Sequence, residues 1–416
     1  MYSETRQVCD GGASEGNNPT SSPTEHRPYA NFGTSQGDSL AHRDVYRMVT
    51  GSPITWDHNP PPVGGLHMKT SQGSYWAGMH VQNQSSHPEP FPQPMVWRGR
   101  REASPIPSDL GAGKRGFMLV SEVTGRRWHA LSSVRVCQFG EVFRAVELVA
   151  LPSGVWGHDH GFFAIKEMKI EKIRKVTGRS NEEPLKEVSV LQYLASRGVH
   201  PNVISCTEVL HDSSSIFVVM PFADGGELFD RVSTKERLGE IEARSLFRQV
   251  LEGVAYLQRN GVCHSRDLSL ENLLLADNEG LTIIDFGMAL KVPMDSEGRP
   301  GLISPQGPCG KTNYMSPEIL LNDRAFDGFK VDIWACGIIL FIMLTGVPPF
   351  EVPLPAQDPR CRVICVERRL NDVLRHWNMP LSTPAVQLIQ SCLLYEPSQR
   401  PTIDELRNHP WVCMQT

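Results

Sequence analysis

Ser265-Arg266-Asp267-Leu268-Ser269-Leu270-Glu271-Asn272 runs straight into Leu273-Leu274-Leu275 and is followed a few residues later by Ile283-Ile284-Asp285-Phe286-Gly287. Asp267 precedes Asn272 by five residues, and Asn272 precedes Asp285 by thirteen. A single Asp in a loop is ordinarily a turn residue or a helix cap. Three oxygen-bearing side chains in this register, set between apolar segments that read as strands, demand another explanation.

Working outward, the chain changes texture twice. Phe162-Phe163-Ala164-Ile165 and Ile216-Phe217-Val218-Val219-Met220 read as strands. After Gly225 the pattern turns helical: Leu246, Val250, Val254 and Leu257 form one stripe, and Val331 to Thr345 is nearly all apolar, suited to a buried helix. A strand-rich part followed by a helix-rich part predicts an α+β fold with a cleft between two lobes. Residues 1–115 differ from both. They hold two isoleucines, three leucines, 13 prolines and 13 glycines, too little aliphatic surface to offset chain entropy, and are predicted to be a disordered tail. Trp56, Trp76 and Trp97 stand out there as candidate contacts for a partner.

The Asp267–Asn272–Asp285 register resembles the catalytic and metal-binding loops of the eukaryotic protein kinases. Ala164-Ile165-Lys166 is similar to the family's phosphate-holding strand lysine, and Glu187 to its helix partner, with Leu191 and Leu194 on the same helix face. Met315-Ser316-Pro317-Glu318 resembles A-P-E, and Asp332-Ile333-Trp334-Ala335-Cys336-Gly337 resembles D-x-W-x-x-G. The likeness runs over 128–412 and is closest to the calcium/calmodulin-dependent group. It implies a small antiparallel β lobe with one helix (about 128–222) and a larger helical lobe (about 223–412).

It also implies ATP and Mg²⁺, with Asn272 and Asp285 as metal ligands and Asp267 as the base that receives the hydroxyl proton. Gly140, Val142, Ala164, Lys166, Met220, Ala223, Glu227 and Leu274 would surround the nucleotide, Met220 as gatekeeper and Ala223 offering backbone groups to adenine. Asp332 would hold the catalytic-loop backbone, and Arg400 would pair with Glu318.

Three departures stand against the pattern. Arg135 and Cys137 occupy the places of the first two glycines of the phosphate loop, where side chains should hold that strand pair off unless Arg135 serves as a substitute cation. Ser265 stands where the loop histidine should, with His264 one place early, which should weaken the packing column of Leu191 and Phe286. Ser269 stands where Ser/Thr kinases carry a lysine, and Lys311 where they carry a threonine, as if hydroxyl and ammonium had exchanged places. Lys311 is therefore expected to reach back to Asp267 and the γ-phosphate. The segment Leu151 to Gly161, with His158 and His160, reads as an exposed loop.

The resulting expectation is a protein serine/threonine kinase, with Glu227 and Glu271 placed as in basophilic relatives. The alternative is a pseudokinase scaffold. Ser104, in Arg100-Arg101-Glu102-Ala103-Ser104, is a candidate autophosphorylation site. A net charge of −5 excludes a strongly basic nucleic-acid coat, and no apolar run approaches a membrane span, the longest being Ile338 to Leu344. Ten scattered cysteines and the lack of a basic-then-apolar leader point to reduced thiols and a cytoplasmic or nuclear location.

Overall fold

The computed structural model describes residues 87–103, 116–150, 156–176, 184–264, 267–276 and 279–415. Seven strands come first: β1 (Trp97–Ala103), β2 (Phe117–Ser121), β3 (Arg127–Val136), β4 (Gly140–Ala150), β5 (Trp156–Lys169), β6 (Glu208–His211) and β7 (Ser215–Pro221). They pair in the order β1-β2-β3-β4-β5-β7-β6, and the parallel contact of β1 with β6 closes the sheet into a barrel. Alternation supplies the core. Phe143 and Ala145 of β4, Ile165 of β5, Phe217 and Val219 of β7, Trp128 and Leu119 all turn inward.

Strand β1 corrects the composition-based boundary, because residues 97–103 were expected to belong to a disordered tail. Trp-Arg-Gly-Arg-Arg-Glu-Ala carries almost no aliphatic surface, so a test based on aliphatic content cannot see it. Backbone pairing with β2 and β6 holds it, together with Arg101. The Arg101 guanidinium lies over the rings of Phe217 and Phe117 and pairs with Asp212 and the buried Glu167. The expected exposed loop before residue 161 is also corrected: β5 begins at Trp156, and residues 156–158 continue the ladder with β4.

Helices α1 (Ile170–Val176) and α2 (Pro184–Ser196) pack with the barrel, so the small lobe carries one short helix more than expected. The rest is built on α3 (Leu228–Lys235), α4 (Glu240–Arg259), α5 (Pro317–Leu321), α6 (Gly328–Thr345), α7 (Pro359–Cys361), α8 (Leu370–His376), α9 (Thr383–Cys392), α10 (Ile403–Arg407) and α11 (Pro410–Cys413). Short strands β8 (Val262–Cys263), β9 (Leu273–Leu275), β10 (Leu281–Ile283) and β11 (Leu290–Lys291) pair as β8–β11 and β9–β10 and carry the polar loops of the cleft.

Helix α6 is the axis of this lobe. Asp327 caps its start by accepting from the Phe329 and Lys330 amides, and Gly346 ends it in the left-handed region (φ 78°). A Cβ on Gly337 would come within 2.5 Å of Cys392 Cβ, so α6 and α9 approach as closely as they do because that residue is glycine. Contrary to the sequence reading, α6 is long and apolar enough to cross a membrane, but 89% of it is buried inside the protein, as for a core helix.

The expected Arg400–Glu318 pair is present and fully enclosed. Arg400 donates to both Glu318 oxygens (2.6 and 2.9 Å) and to the carbonyls of Leu394, Lys330 and Tyr395, with Trp334 stacked against it. All five N–H donors of the guanidinium are thereby matched and each carboxylate oxygen accepts, which is what makes burying the pair tolerable. Replacing Arg400 with Met strands a buried carboxylate and is expected to cost about 3–5 kcal/mol, read as a lower urea midpoint. The double variant Arg400→Met/Glu318→Leu should recover much of that loss. An unchanged midpoint in the single variant would refute the account.

Candidate active site

The roof of the cleft is the β3–β4 hairpin. Cys137 N donates to Gly140 O (2.8 Å) and Gly140 N to Cys137 O (3.3 Å), closing a tight turn over Gln138-Phe139. A Cβ on Gly140 would lie 1.8 Å from the Glu167 carbonyl oxygen, so only glycine fits. Phe139 is buried in the main core and its carbonyl accepts from Lys169 N, which pins the tip of the turn. The two missing glycines do not break the ladder: Arg135 pairs with Val142, and Val136 with Glu141. The Arg135 side chain reaches across the cleft mouth and forms an ion pair with Glu227.

Below this roof, Val142 lies opposite Lys166, Ala164 opposite Met220, and Lys166 opposite Val218. Ala164 and Lys166 alternate with the inward Ile165 and so project from the other face of β5. Lys166 Nζ donates to both oxygens of Glu187 (2.8 and 2.7 Å), tying β5 to α2. Helix α2 presents this carboxylate because Val188, Leu191 and Leu194 bury its inner stripe. Burial opposes the charge on Lys166, but Glu187 and then Asp285 outweigh it, so its pKa rises and the ammonium form is held.

The floor carries the polar loops. Asn272 Nδ2 donates to the Asp267 carbonyl (2.8 Å) and to Asp267 Oδ2 (2.7 Å). Ile284 N donates to Asn272 O, so the loop bearing Asp285 is hung from the loop bearing Asp267. Asp285 adopts a left-handed backbone (φ 62°), an uncommon conformation for a non-glycine residue and one concentrated at functional sites. Its Oδ1 accepts from Gly287 N (3.2 Å). Lys311 Nζ donates to Ser269 Oγ (2.8 Å) and lies 3.9 Å from Asp267 Oδ1 and 3.4 Å from Glu271 Oε2. Burial raises the pKa of Asp267, Asp285 adds to the rise, and Lys311, His264 and Asn272 pull against it.

The histidine departure is corrected here. His264 packs against Phe286 with ring centroids 5.1 Å apart, its backbone N donates to Asp332 Oδ2 (2.9 Å), and its Nε2 lies 3.0 Å from Ile284 O. A carbonyl only accepts, so Nε2 carries the proton. The packing column is therefore not weakened at this point. Ser265 reads as one extra residue between His264 and Arg266, not as a replacement for the histidine. Ser265 and Arg266 themselves lie outside the described residues, as do Ser104, Trp56 and Trp76. The clue was available in the order His-Ser-Arg-Asp, which a position-by-position reading treats as a substitution.

At the back, Phe222 N donates to Phe162 O, and Gly225 N and Leu275 N cross-link the segment after β7 to β9. Leu274 is half-buried between two buried leucines and bridges to Glu227. Met220 thus faces Ala164, two residues from Lys166 on β5, and Glu227 meets Leu274 on β9; Ala223 lies in the connection between them.

A family model described as protein kinase domain matches residues 139–412. The chain belongs to that family. It is 36% identical over 234 residues to CBL-interacting protein kinase 9 of Oryza sativa subsp. japonica, covering 55% of this chain and 46% of that protein. It is also 36% identical over 217 residues to the abscisic acid-inducible protein kinase of Triticum aestivum, covering 51% and 61%. Serine/threonine-protein kinase SAPK1 of Oryza sativa subsp. japonica is 37% identical over 220 residues, covering 51% and 59%. The chain spans about half the length of the curated relatives it matches.

The Arg135–Glu227 bridge, which ties residue 135 to the matched kinase domain, is the feature of this cleft that motif reading missed. A position aligned to a glycine gives no hint of where a long side chain will go. Arg135 is 66% exposed, so the bridge is worth at most about 1 kcal/mol. Arg135→Ala is expected to tighten ATP binding by up to about fivefold, measured by calorimetric titration, because it frees Glu227. Weaker binding would instead identify Arg135 as a direct nucleotide contact.

Proposed function

We propose that the chain is an ATP-dependent protein kinase that transfers the γ-phosphoryl group to a serine or threonine hydroxyl. The observation that carries this reading is the closed Lys166–Glu187 pair over a loop pair in which Asn272 orients Asp267 and suspends Asp285. A scaffold with no transfer to perform would need none of these groups in register.

The residues fit the divalent ion the family uses. Asp285 engages one carboxylate oxygen, Oδ1, in a hydrogen bond among the described residues, and Asn272 adds an amide oxygen, both hard donors suited to Mg²⁺. Bound there, Mg²⁺ would neutralise phosphate charge. The chain's own groups divide the remaining work. Lys166, kept charged by Glu187, holds the phosphates on the roof side. Asp267 is fixed through Oδ2 by Asn272 and takes the acceptor's proton as the hydroxyl oxygen bonds to phosphorus. The bond from that phosphorus to the β–γ bridging oxygen breaks, and ADP leaves with the electron pair.

Lys311 supplies the ammonium that the catalytic loop lacks at Ser269. Its 2.8 Å contact with Ser269 and its approach to Asp267 support an exchange of hydroxyl and ammonium across the loop pair. Glu227 and Glu271 support a preference for basic substrates, since each already holds a cation of the chain, Arg135 and Lys311 respectively.

The direct test is radiolabel transfer from Mg-ATP to a basic Ser/Thr peptide. Asp267→Asn is expected to lower kcat by about 10²–10⁴-fold, and Asp285→Asn to abolish transfer. Wild-type protein without transfer to any Ser/Thr peptide would refute the reading.

The exchange idea has its own test. Lys311→Met should reduce the preference for ATP over ADP in a binding titration. It should also move the acid limb of the kcat–pH profile to higher pH, because removing the ammonium lets the already raised Asp267 pKa rise further and the base is lost sooner as pH falls. Ser269→Lys/Lys311→Thr should restore both. A profile unmoved by Lys311→Met would show the lysine to be a bystander.

A further inference from the structure

We propose that residues 89–96 are a brace, built into the chain, that holds helix α2 in the position where Glu187 meets Lys166. Phe91, Gln192, Tyr193 and the Glu89–Lys291 pair would be its positioning residues. The proposal rests on the kinase reading only for its functional consequence.

Two of the part-exposed residues in the last turns of α2, Gln192 and Tyr193, are engaged by the N-terminal segment. The Gln192 amide makes a two-way bond with the backbone of one residue of the N-terminal segment: Met95 N donates to Gln192 Oε1 (2.8 Å), and Gln192 Nε2 donates to Met95 O (2.6 Å). A side-chain amide thus pairs like the edge of a strand. Phe91 sits edge-on to Tyr193 with ring centroids 5.6 Å apart, and both pack onto the main core. Tyr193 also donates to Asn260 O at the end of α4 (3.0 Å), so α2 is held from the helical lobe and from the N-terminal segment at once.

The far end of the brace reaches the catalytic loops. Glu89 Oε2 lies 2.6 Å from Lys291 Nζ, and the two residues form an antiparallel backbone bridge. Lys291 Nζ in turn lies 5.7 Å from the Tyr193 ring centroid. It belongs to β11, four residues past Gly287, and β11 pairs with β8, which leads into His264. The near end is locked by β1, whose Trp97 and Arg98 pair with Leu210 and His211 of β6. Residues 89–96 are therefore tied to the barrel, to α2 and to the strand after Asp-Phe-Gly. None of these ties depends on aliphatic burial by the segment alone, which is why its composition concealed it.

A helix clasped at its C-terminal turns by the chain's own segment does not wait for another protein to position those turns. The brace makes the Lys166–Glu187 contact a property of the chain itself. Its loss should let α2 swing or fray at the turns that follow Glu187, weakening the grip on the phosphates without unfolding the helical lobe.

The test uses the full chain. In Phe91→Ala/Gln192→Ala, amides of α2 are expected to exchange hydrogen about tenfold faster than in wild type while those of α6 are unchanged, and kcat to fall about tenfold. Lys291→Glu should behave alike, and Glu89→Lys/Lys291→Glu should recover exchange and kcat to within about threefold of wild type. Unchanged α2 exchange overturns the proposal, and so does faster exchange with kcat intact, since the segment would then be a purely structural cover. If wild type transfers no phosphate, the kinase reading fails, and α2 exchange alone still decides whether the brace exists.

Discussion

The candidate cleft depends on one ion pair that joins two elements of different origin. Lys166 belongs to a strand whose other face builds the barrel core, and Glu187 belongs to a helix held by its own apolar stripe. Each charge is poorly solvated where it sits, and removing either would strand the other at a cost of about 3–5 kcal/mol. The pair therefore locks the spacing between β5 and α2, and with it the depth of the cleft.

The opposite wall is organised by backbone hydrogen bonds to buried polar groups. Asp332, wholly buried on α6, receives the His264 amide, so this apolar core helix sets the height at which the loop bearing Asp267 begins. The Asn272 carbonyl receives the Ile284 amide, so the position of Asp285 follows from that of Asp267. A residue added after His264 leaves these anchors unmoved. The histidine stays with Phe286 and Asp332, and the asparagine bond fixes Asp267 from the other side.

Electrostatic compensation recurs around the site. An arginine in place of a glycine meets Glu227, and a lysine from the segment before α5 meets Ser269, Glu271 and Asp267. In both cases a residue that breaks a local rule has its partner on another element of the cleft. A sequence can deviate in this way while keeping its charge balance, because what matters to the buried carboxylates is the sum of the nearby charges and not the segment that supplies them.

The order of motifs was enough to determine the α+β lobes, the pairing of Lys166 with Glu187 and of Arg400 with Glu318, and the grouping of Asp267, Asn272 and Asp285. Each of these follows from the family resemblance that those motifs carry, since the matched residues hold the same places along the chain. Tertiary structure alone decided that Arg135 would turn to Glu227 and that residues 89–103 would join the fold. Those outcomes hinge on which atoms meet across distant segments. Backbone ladders, a side-chain amide clasping the N–H and C=O of one residue, and a guanidinium lying on aromatic rings leave no periodic apolar trace along the chain, so only the folded arrangement displays them.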